Sequence, residues 1–413
     1  GALFFALQGP NFDGHAYIEA ARARGAAGAA VSEPCADALP QITVTDTRLA
    51  LGQLAADWRR RFDIPVIGIT GSNGKTTVRS MTAAILARCG RTLATEGNLN
   101  NDIGMPLTLA RLGKDDRFAI IEMGANHPGE IDYLASIAQP TIALVTNAGP
   151  AHLEGFGDIA GVARAKGELF ASLAADSVAI INADDDYAPL WRELAAHCRR
   201  VEFGLEAGAD VTAAWSGDAD GSDITLQTPQ GEVQFRLPLP GRHNVMNALA
   251  ASAAALAAGA GLDDIAGGLA GLVPVAGRFN IHHLPGGITL IDDTYNANPG
   301  SLQVALDVLA MSGGATWLVL GDMGELGDTS AALHADAGRR AQSAGVDRLF
   351  AIGDLARAAA DSFGRQGEFH ATQDELVTAL RNGLHGPLHV LVKGSRRMQL
   401  ENVVKALISG GDD

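Results

Sequence analysis

Cysteine, aromatic residues and basic charge are all scarce in this chain, and each scarcity excludes a class of protein. Among 413 residues there are 3 cysteines, Cys35, Cys89 and Cys198, too few for a disulfide scaffold and too far apart for a zinc site. A reducing cytoplasm is therefore the expected compartment. Lys and Arg number 31 against 47 Asp and Glu, a formal net charge of -16, which argues against a nucleic-acid or anionic-membrane surface because either needs clustered cations. Long apolar runs are also missing. The most membrane-like segment, "VMNALAASAAALAAGAGL", is mostly Ala and Gly and reads as a packed helix. A signal peptide is likewise not evident.

What is present is apolar bulk and glycine: 47% hydrophobic residues, 19% charged residues and 50 Gly, the composition of a packed globular protein. The length suggests two to four domains. The chain starts at Gly1 and enters at once on the strand-like "ALFFAL", so the first domain is expected to be incomplete at its start.

Three units follow from the patterning, all α/β. Residues 1–63 hold short strands and an Ala-rich helix. Residues 64–275 repeat strand, turn and helix, with apolar runs "FAIIEMG", "TIALVTNAG" and "SVAIINAD"; such β-branched, non-alternating runs predict a parallel sheet covered on both faces. Inside this unit, between residues 209 and 238, "ITLQT" and "EVQFRL" alternate and predict a small antiparallel insertion. Residues 276–413 carry "ITLIDD", "TWLVLGD", "RLFAIG" and "LHVLVKG", a second doubly wound, Rossmann-like unit.

The stretch "IPVIGITGSNGKTTVRSM" runs from an apolar strand through a glycine turn into a helix. Backbone N–H groups of such a turn face phosphate oxygens, a lysine bridges the terminal phosphates and a hydroxyl holds Mg²⁺. The parts here are Gly71, Gly74, Lys75 and Thr76, in a turn shorter than the strict G-x-x-x-x-G-K-[ST] form, which would need glycine where Ile69 stands. The competing reading is an ordinary Gly-rich βα turn. Glu122 ends the strand "FAIIE", at the sheet edge where ligands and their Mg²⁺ sit. Otherwise it is a solvated strand-end carboxylate. His152 in "NAGPAHLEGFG" and Lys166 in "ARAKGELF" read more simply as surface residues, since imidazole is not a favoured Mg²⁺ ligand and an ammonium repels the ion.

In order along the chain, "TGSNGKTT", "IIEMG", "NAGPAHLEGFG", "AKGELF", "RHNVMNALAA", "GRFN" and "LIDDTYNANPGS" resemble the motifs of the Mur ligases of peptidoglycan synthesis. The resemblance implies that the turn Gly71, Ser72, Asn73, Gly74, Lys75, Thr76 and Thr77 binds ATP, and that Thr76 and Glu122 hold Mg²⁺. It further implies that His152 and a carbamylated Lys166 serve a second Mg²⁺. Asn244 and Asn247 would flank the adenine, Arg278 reach the phosphates and Asp293 orient the ribose side; read alone, Asn244 is a helix cap. Lys75, His152 and Lys166 are the expected catalytic residues.

Within the family, "FFALQGPNFDGHAYIEAA" and "EGNLNNDIGMPLTLARL" resemble substrate-side segments of the member that adds D-alanyl-D-alanine, and "DDTYNANP" stands where the diaminopimelate- or lysine-adding member carries a tyrosine-alanine-histidine run. This implies substrate contacts at Asp13, His15, Asn98, Asn101, Asn296, Asn298, Lys393 and Arg396. The substrates implied are UDP-N-acetylmuramoyl-tripeptide and D-Ala-D-Ala, on a cytoplasmic monomer closing about a hinge near Val275 to Arg278. The alternatives are another amide ligase of the superfamily, such as a folylpolyglutamate synthetase, or a nucleotide-binding scaffold without turnover.

Overall fold

The computed structural model describes residues 1–206, 208–218 and 220–409. Its centre is a six-stranded sheet. Strands Arg199–Phe203, Val178–Asn182, Ile142–Val145, Val66–Thr70, Phe118–Glu122 and Thr92–Ala94 lie side by side in that order, all parallel. Every residue of Val66–Thr70 and Phe118–Glu122 is buried, as strands covered on both faces must be. One face packs on the helices Lys75–Cys89, Arg242–Ala257 and Leu262–Ala270 through Val78, Met81, Ile85 and the Ala-rich run from Ala248. The other packs through Met105, Leu134, Phe170 and Trp191.

The strand order places Val66–Thr70 between Phe118–Glu122 and Ile142–Val145, so the chain winds to one side and then crosses to the other. A crevice opens outside the carboxyl ends at such a reversal. The glycine turn, Glu122 and the loop from Thr146 to His152 all lie at that edge. The insertion is a three-stranded antiparallel sheet, Thr212–Asp218, Gly221–Thr228 and Gly231–Leu237. Its first strand, "TAAWSGD", was not expected from the sequence.

The C-terminal sheet runs Asn280–Leu284, Ile288–Asp293, Leu388–Lys393, Ala315–Gly321, Arg348–Ile352 and Gly367–His370; only the first pairs antiparallel. Its carboxyl edge carries Asp293, Lys393 and the loop after Gly321, and faces the central crevice. The N-terminal unit is a three-stranded parallel sheet, Leu3–Phe5, Gly28–Val31 and Gln41–Thr43.

The helix Thr47–Arg59 joins the first unit to the second. Asp46 caps it, accepting from Arg48 and Leu49 N–H, and Thr47 Oγ1 donates to the Ala6 carbonyl at 3.1 Å. At its other end the buried Arg59 donates to the carbonyls of Ala138 at 3.1 Å, Gln139 at 3.3 Å and Phe62 at 2.6 Å, while Trp58 Nε1 donates to Leu112 O at 3.1 Å. The C-terminal unit instead meets the phosphate turn through polar side chains, taken up below.

Candidate active site

The glycine turn adopts backbone angles that L-residues rarely take. Gly71 has φ +142° and Gly74 φ +81°, and the helix Lys75–Cys89 starts directly after Gly74. A Cβ on Gly71 would stand 1.9 Å from Thr146 Oγ1, and one on Gly74 2.5 Å from Asn247 Oδ1. Thr146 Oγ1 donates to Asn73 O at 2.6 Å, Asn73 N–H to Asn147 Oδ1 at 3.0 Å and Gly149 N–H to Ser72 Oγ at 2.9 Å, so the neighbouring loop fixes the turn. Gly71→Ala is expected to cost about 2 to 4 kcal/mol through strain and the lost threonine contact. It should also weaken ADP binding; thermal melting and nucleotide titration read both, and a variant with unchanged melting and affinity would refute this account of the turn.

Lys75 Nζ donates to Gly71 O at 2.6 Å, and burial, more than the opposing Glu122 charge, pushes its pKa down. Thr76 Oγ1 lies 3.4 Å from Glu122 Oε1 and 3.4 Å from Arg278 Nη2. Glu122 is 2% exposed: Asn100 Nδ2 donates to its Oε1 at 2.9 Å and Arg79 Nη1 stands 3.1 Å from its Oε2. That Oε2 accepts no aligned hydrogen bond. A buried carboxylate with one oxygen beside a threonine hydroxyl and the other without an aligned hydrogen bond offers hard oxygens that fit Mg²⁺, an ion content with few protein ligands when phosphate and water supply the rest. Arg79 and Asn100, neither expected from the sequence, position Glu122. Arg79 also donates to Gly97 O at 3.0 Å and so ties Glu122 to the "EGNLNND" loop.

Lys166 lies beneath the cavity at 1% exposure, its Nζ 3.4 Å from Ala125 O and 5.3 Å from the Phe156 ring centre. Burial first, and then the Lys75 charge, bring its pKa down to about 7. His152 has φ +53°, and its Nδ1 stands 2.5 Å from Glu325 Oε2 of the C-terminal unit, close enough for an ion pair but without an aligned hydrogen bond. As an amine Lys166 is no metal ligand. Only its carbamate would join His152 in holding a second ion.

Asn244 is not a helix cap. Its Nδ2 donates to Pro240 O at 2.8 Å and its Oδ1 accepts from Asn247 at 3.3 Å, which sets Asn247 against Gly74. The aromatic side of this end comes from Phe203 and from Trp215 of the insertion. Neither was anticipated. The C-terminal unit reaches over the turn: Asn298 Nδ2 donates to Asn73 Oδ1 at 2.8 Å while its Oδ1 caps the helix Pro299–Ala310. Arg278 stacks 4.1 Å from the Tyr295 ring centre.

Asp293 and Lys393 form a buried ion pair, and Lys393 also donates to Asn296 O at 3.1 Å. Burial raises the Asp293 pKa against the opposing lysine. Lys393→Met should therefore destabilise the chain by about 3 kcal/mol by stranding a buried carboxylate, and Asp293→Asn placed in the same chain should restore most of it. Denaturant midpoints of the single and double variants decide this, and an additive loss would sink it.

One cavity of about 1480 Å³ joins these parts. It is lined by Ser72, Asn73, Gly74, Lys75, Thr76, Thr77, Glu122 and His152, by Asn98 and Asn101 of the "EGNLNND" loop, by Asn244 and Asn247, and by Arg278, Asp293, Asn296, Asn298 and Lys393. Arg48 brings in the N-terminal unit. Three expected substrate contacts lie away from it. Arg396 pairs with Glu401 at 2.6 Å. Asp13 and His15 stay in the first unit, where His15 Nε2 accepts from Ser32 N–H at 3.0 Å and its Nδ1 faces Asp13 Oδ1 at 2.6 Å.

Residues 69–255 match the Mur ligase middle domain and residues 277–396 the Mur ligase, glutamate ligase domain. The UDP-N-acetylmuramoyl-tripeptide--D-alanyl-D-alanine ligase of Escherichia coli strain K12 is 46% identical over 415 residues, covering 100% of this chain and 92% of that protein. A crystal structure of MurF from Acinetobacter baumannii superposes with a TM-score of 0.93 at 40% identity, over 98% of this chain and 90% of that one. MurF ligase from Thermotoga maritima in complex with ADP gives 0.90 at 27% identity, over 99% and 94%. Two family models that together span most of the sequence, and relatives matched along its whole length, show that this chain belongs to the Mur ligase family.

Proposed function

We propose that this protein is the ATP-dependent ligase that joins D-Ala-D-Ala to UDP-N-acetylmuramoyl-tripeptide in peptidoglycan synthesis. The observation that carries the reading is the single cavity into which all three units place polar side chains, because a three-substrate condensation needs its acid, its phosphoryl donor and its amine in one place. The named activity of the relative 46% identical along the whole chain supports the choice of amine.

Condensing a carboxylate with an amine in water is unfavourable, so the acid is first activated. The peptide's terminal carboxylate attacks the γ-phosphate of ATP, forming an acyl phosphate and releasing ADP. The amine then attacks the acyl carbon, and the tetrahedral adduct expels phosphate. The N–H groups of residues 71–74 and the helix N-terminus hold the phosphates, and Lys75 moves from the Gly71 carbonyl to the transferring group. Thr76 and Glu122 would hold Mg²⁺, which when bound supplies charge neutralisation on phosphoryl oxygens. Lys166, with a pKa near 7, is partly neutral at physiological pH, the form that combines with carbon dioxide; the resulting anionic carbamate, with His152, would hold a second ion. Asn247, Phe203 and Trp215 line the adenine end, and Asn98 and Asn101 the peptide end.

The units 1–63, 64–275 and 276–413 serve the nucleotide sugar, ATP and dipeptide respectively. Asp13 and His15, locked to each other, act on the nucleotide-sugar side. Closure turns about residues 275–278, a segment that contains Gly277 and adjoins Phe279, both with positive φ. The enzyme works as a cytoplasmic monomer in cell-wall synthesis that maintains cell shape and division; among the described residues no helix is long and apolar enough to cross a membrane.

The deciding experiment is incubation with ATP, Mg²⁺, the tripeptide nucleotide and a panel of amines. The pentapeptide product from D-Ala-D-Ala, with oxygen from a labelled tripeptide carboxylate appearing in inorganic phosphate, is the expected result. Ligation of a different amine would place the chain with another member of the family, and phosphate without label would reject the acyl phosphate.

A further inference from the structure

Among the described residues the Glu325 side chain makes no hydrogen bond or ion pair within its own domain, and its partner is His152 of the central domain. The Glu325 φ is +61°, a left-handed value that costs a branched or long side chain roughly 1 kcal/mol or more unless its surroundings impose it. The surroundings here do impose it. Met323 and Leu326 on either side are buried, Met323 N–H donates to His334 Nε2 at 2.8 Å, and His334 is fully buried. Asp322 Oδ1 accepts from the N–H groups of Leu355 at 3.0 Å and Ala356 at 2.8 Å, and Asp322 O accepts from Ser395 N–H at 2.9 Å. A loop this firmly anchored projects the Glu325 carboxylate away from its own domain and into the shared cavity, 60% exposed, beside His152 of the central domain. His152 is itself left-handed, so both partners of this contact between domains sit in strained backbone.

The other acidic side chains that the C-terminal domain places on the cavity have partners within that domain. Asp293 belongs to Lys393, and Asp307 accepts from Gln303 Nε2 at 2.9 Å one helical turn away. Glu325 alone of these three faces the rim where the His152 loop meets the phosphate turn, the rim at which the acyl phosphate forms.

We propose that Glu325 receives the ammonium end of the incoming dipeptide and sets it against the acyl phosphate. The inference rests on the ligase reading above. An amine donor arrives as a cation, and a carboxylate presented by a rigid loop at the reaction rim is the matching group.

Equilibrium binding of D-Ala-D-Ala tests it, measured on the full chain with a non-hydrolysable ATP analogue and the tripeptide nucleotide present. The comparison ligand is D-lactoyl-D-alanine, which carries a hydroxyl in place of the ammonium. Glu325→Gln should weaken D-Ala-D-Ala binding about tenfold, the loss expected for one charge-assisted hydrogen bond, and leave the hydroxyl ligand, the ATP analogue and the melting temperature unchanged. Glu325→Asp should recover part of the affinity. Equal weakening of both ligands, or unchanged affinity for D-Ala-D-Ala, overturns the assignment. A wild-type chain that makes pentapeptide while the variant binds as before leaves the ligase reading standing and removes only this inference; a wild-type chain that makes none removes both.

Discussion

Lys75→Met is expected to lower ligation by about three orders of magnitude while the chain stays folded. The side chain is half-buried at the start of the helix Lys75–Cys89, and among the described residues its hydrogen bonds go to the carbonyls of its own turn, Gly71 at 2.6 Å and Ser72 at 3.4 Å. Burial already lowers its pKa, so an uncharged side chain of similar length is tolerated there and the melting temperature should hold or rise. What is lost is a cation aimed at charge that develops during phosphoryl transfer, an effect worth about 10²–10³ in rate for a single well-placed donor and more in a dry cavity. Single-turnover formation of acyl phosphate reads that step directly. Retention of more than about a tenth of the rate would remove Lys75 from the chemistry.

Lys166→Met should change stability and activity in opposite directions. Lys166 is 1% exposed, and its partners among the described residues are one carbonyl at 3.4 Å and the face of Phe156. Its pKa falls from 10.5 to about 7, so the folded chain disfavours the ammonium. Between those values the unfolded chain binds more protons than the folded one, and stability climbs as pH rises from about 7 to 10.5. Below about pH 7 the penalty is complete. Methionine removes it, so without bicarbonate the variant should be more stable at neutral pH by up to about 4 kcal/mol, with the gain vanishing near pH 10. Ligation should fall at least about a hundredfold, because methionine cannot carry a carbamate. Melting curves at several pH values decide the first half; a parallel pair of stability profiles would refute the buried charge. Mass analysis of the wild-type chain with and without bicarbonate decides whether Lys166 gains one carbon dioxide.

Much of this site follows from local pattern. The phosphate turn is contiguous, and its strand, glycines and helix are each forced by short-range chemistry. Glu122 could be placed because a carboxylate at the end of an apolar strand faces the crevice of a parallel sheet. Residues that matter through distant contacts were out of reach. Arg79 is one more helical arginine until it is seen against Glu122 and Gly97. Glu325 is one more loop carboxylate until its anchored backbone and His152 come into view. The short edge strands Thr92–Ala94, Asn280–Leu284 and Gly367–His370 escaped for a related reason: each pairs on one side only and carries little apolar signal. Arg396 reads from the sequence as an anion contact after "VLVKGS"; in the fold it pairs with Glu401, five residues on, and lies 5.9 Å from the ring centre of Tyr295 at the cavity wall.

The Arg59 clamp has a consequence for how the molecule comes apart. A guanidinium buried against three carbonyls, with Trp58 anchored beside it, binds the first unit to the second along a helix that both share. The third unit touches the second through exchangeable side-chain pairs, Asn298 with Asn73, Arg278 with Thr76 and Glu325 with His152. Calorimetry should accordingly trace two heat-absorption peaks, one for the paired front units and one for the back. Nucleotide should draw the peaks together, because under the proposed function it bridges Lys75 on one side of the seam and Arg278 on the other.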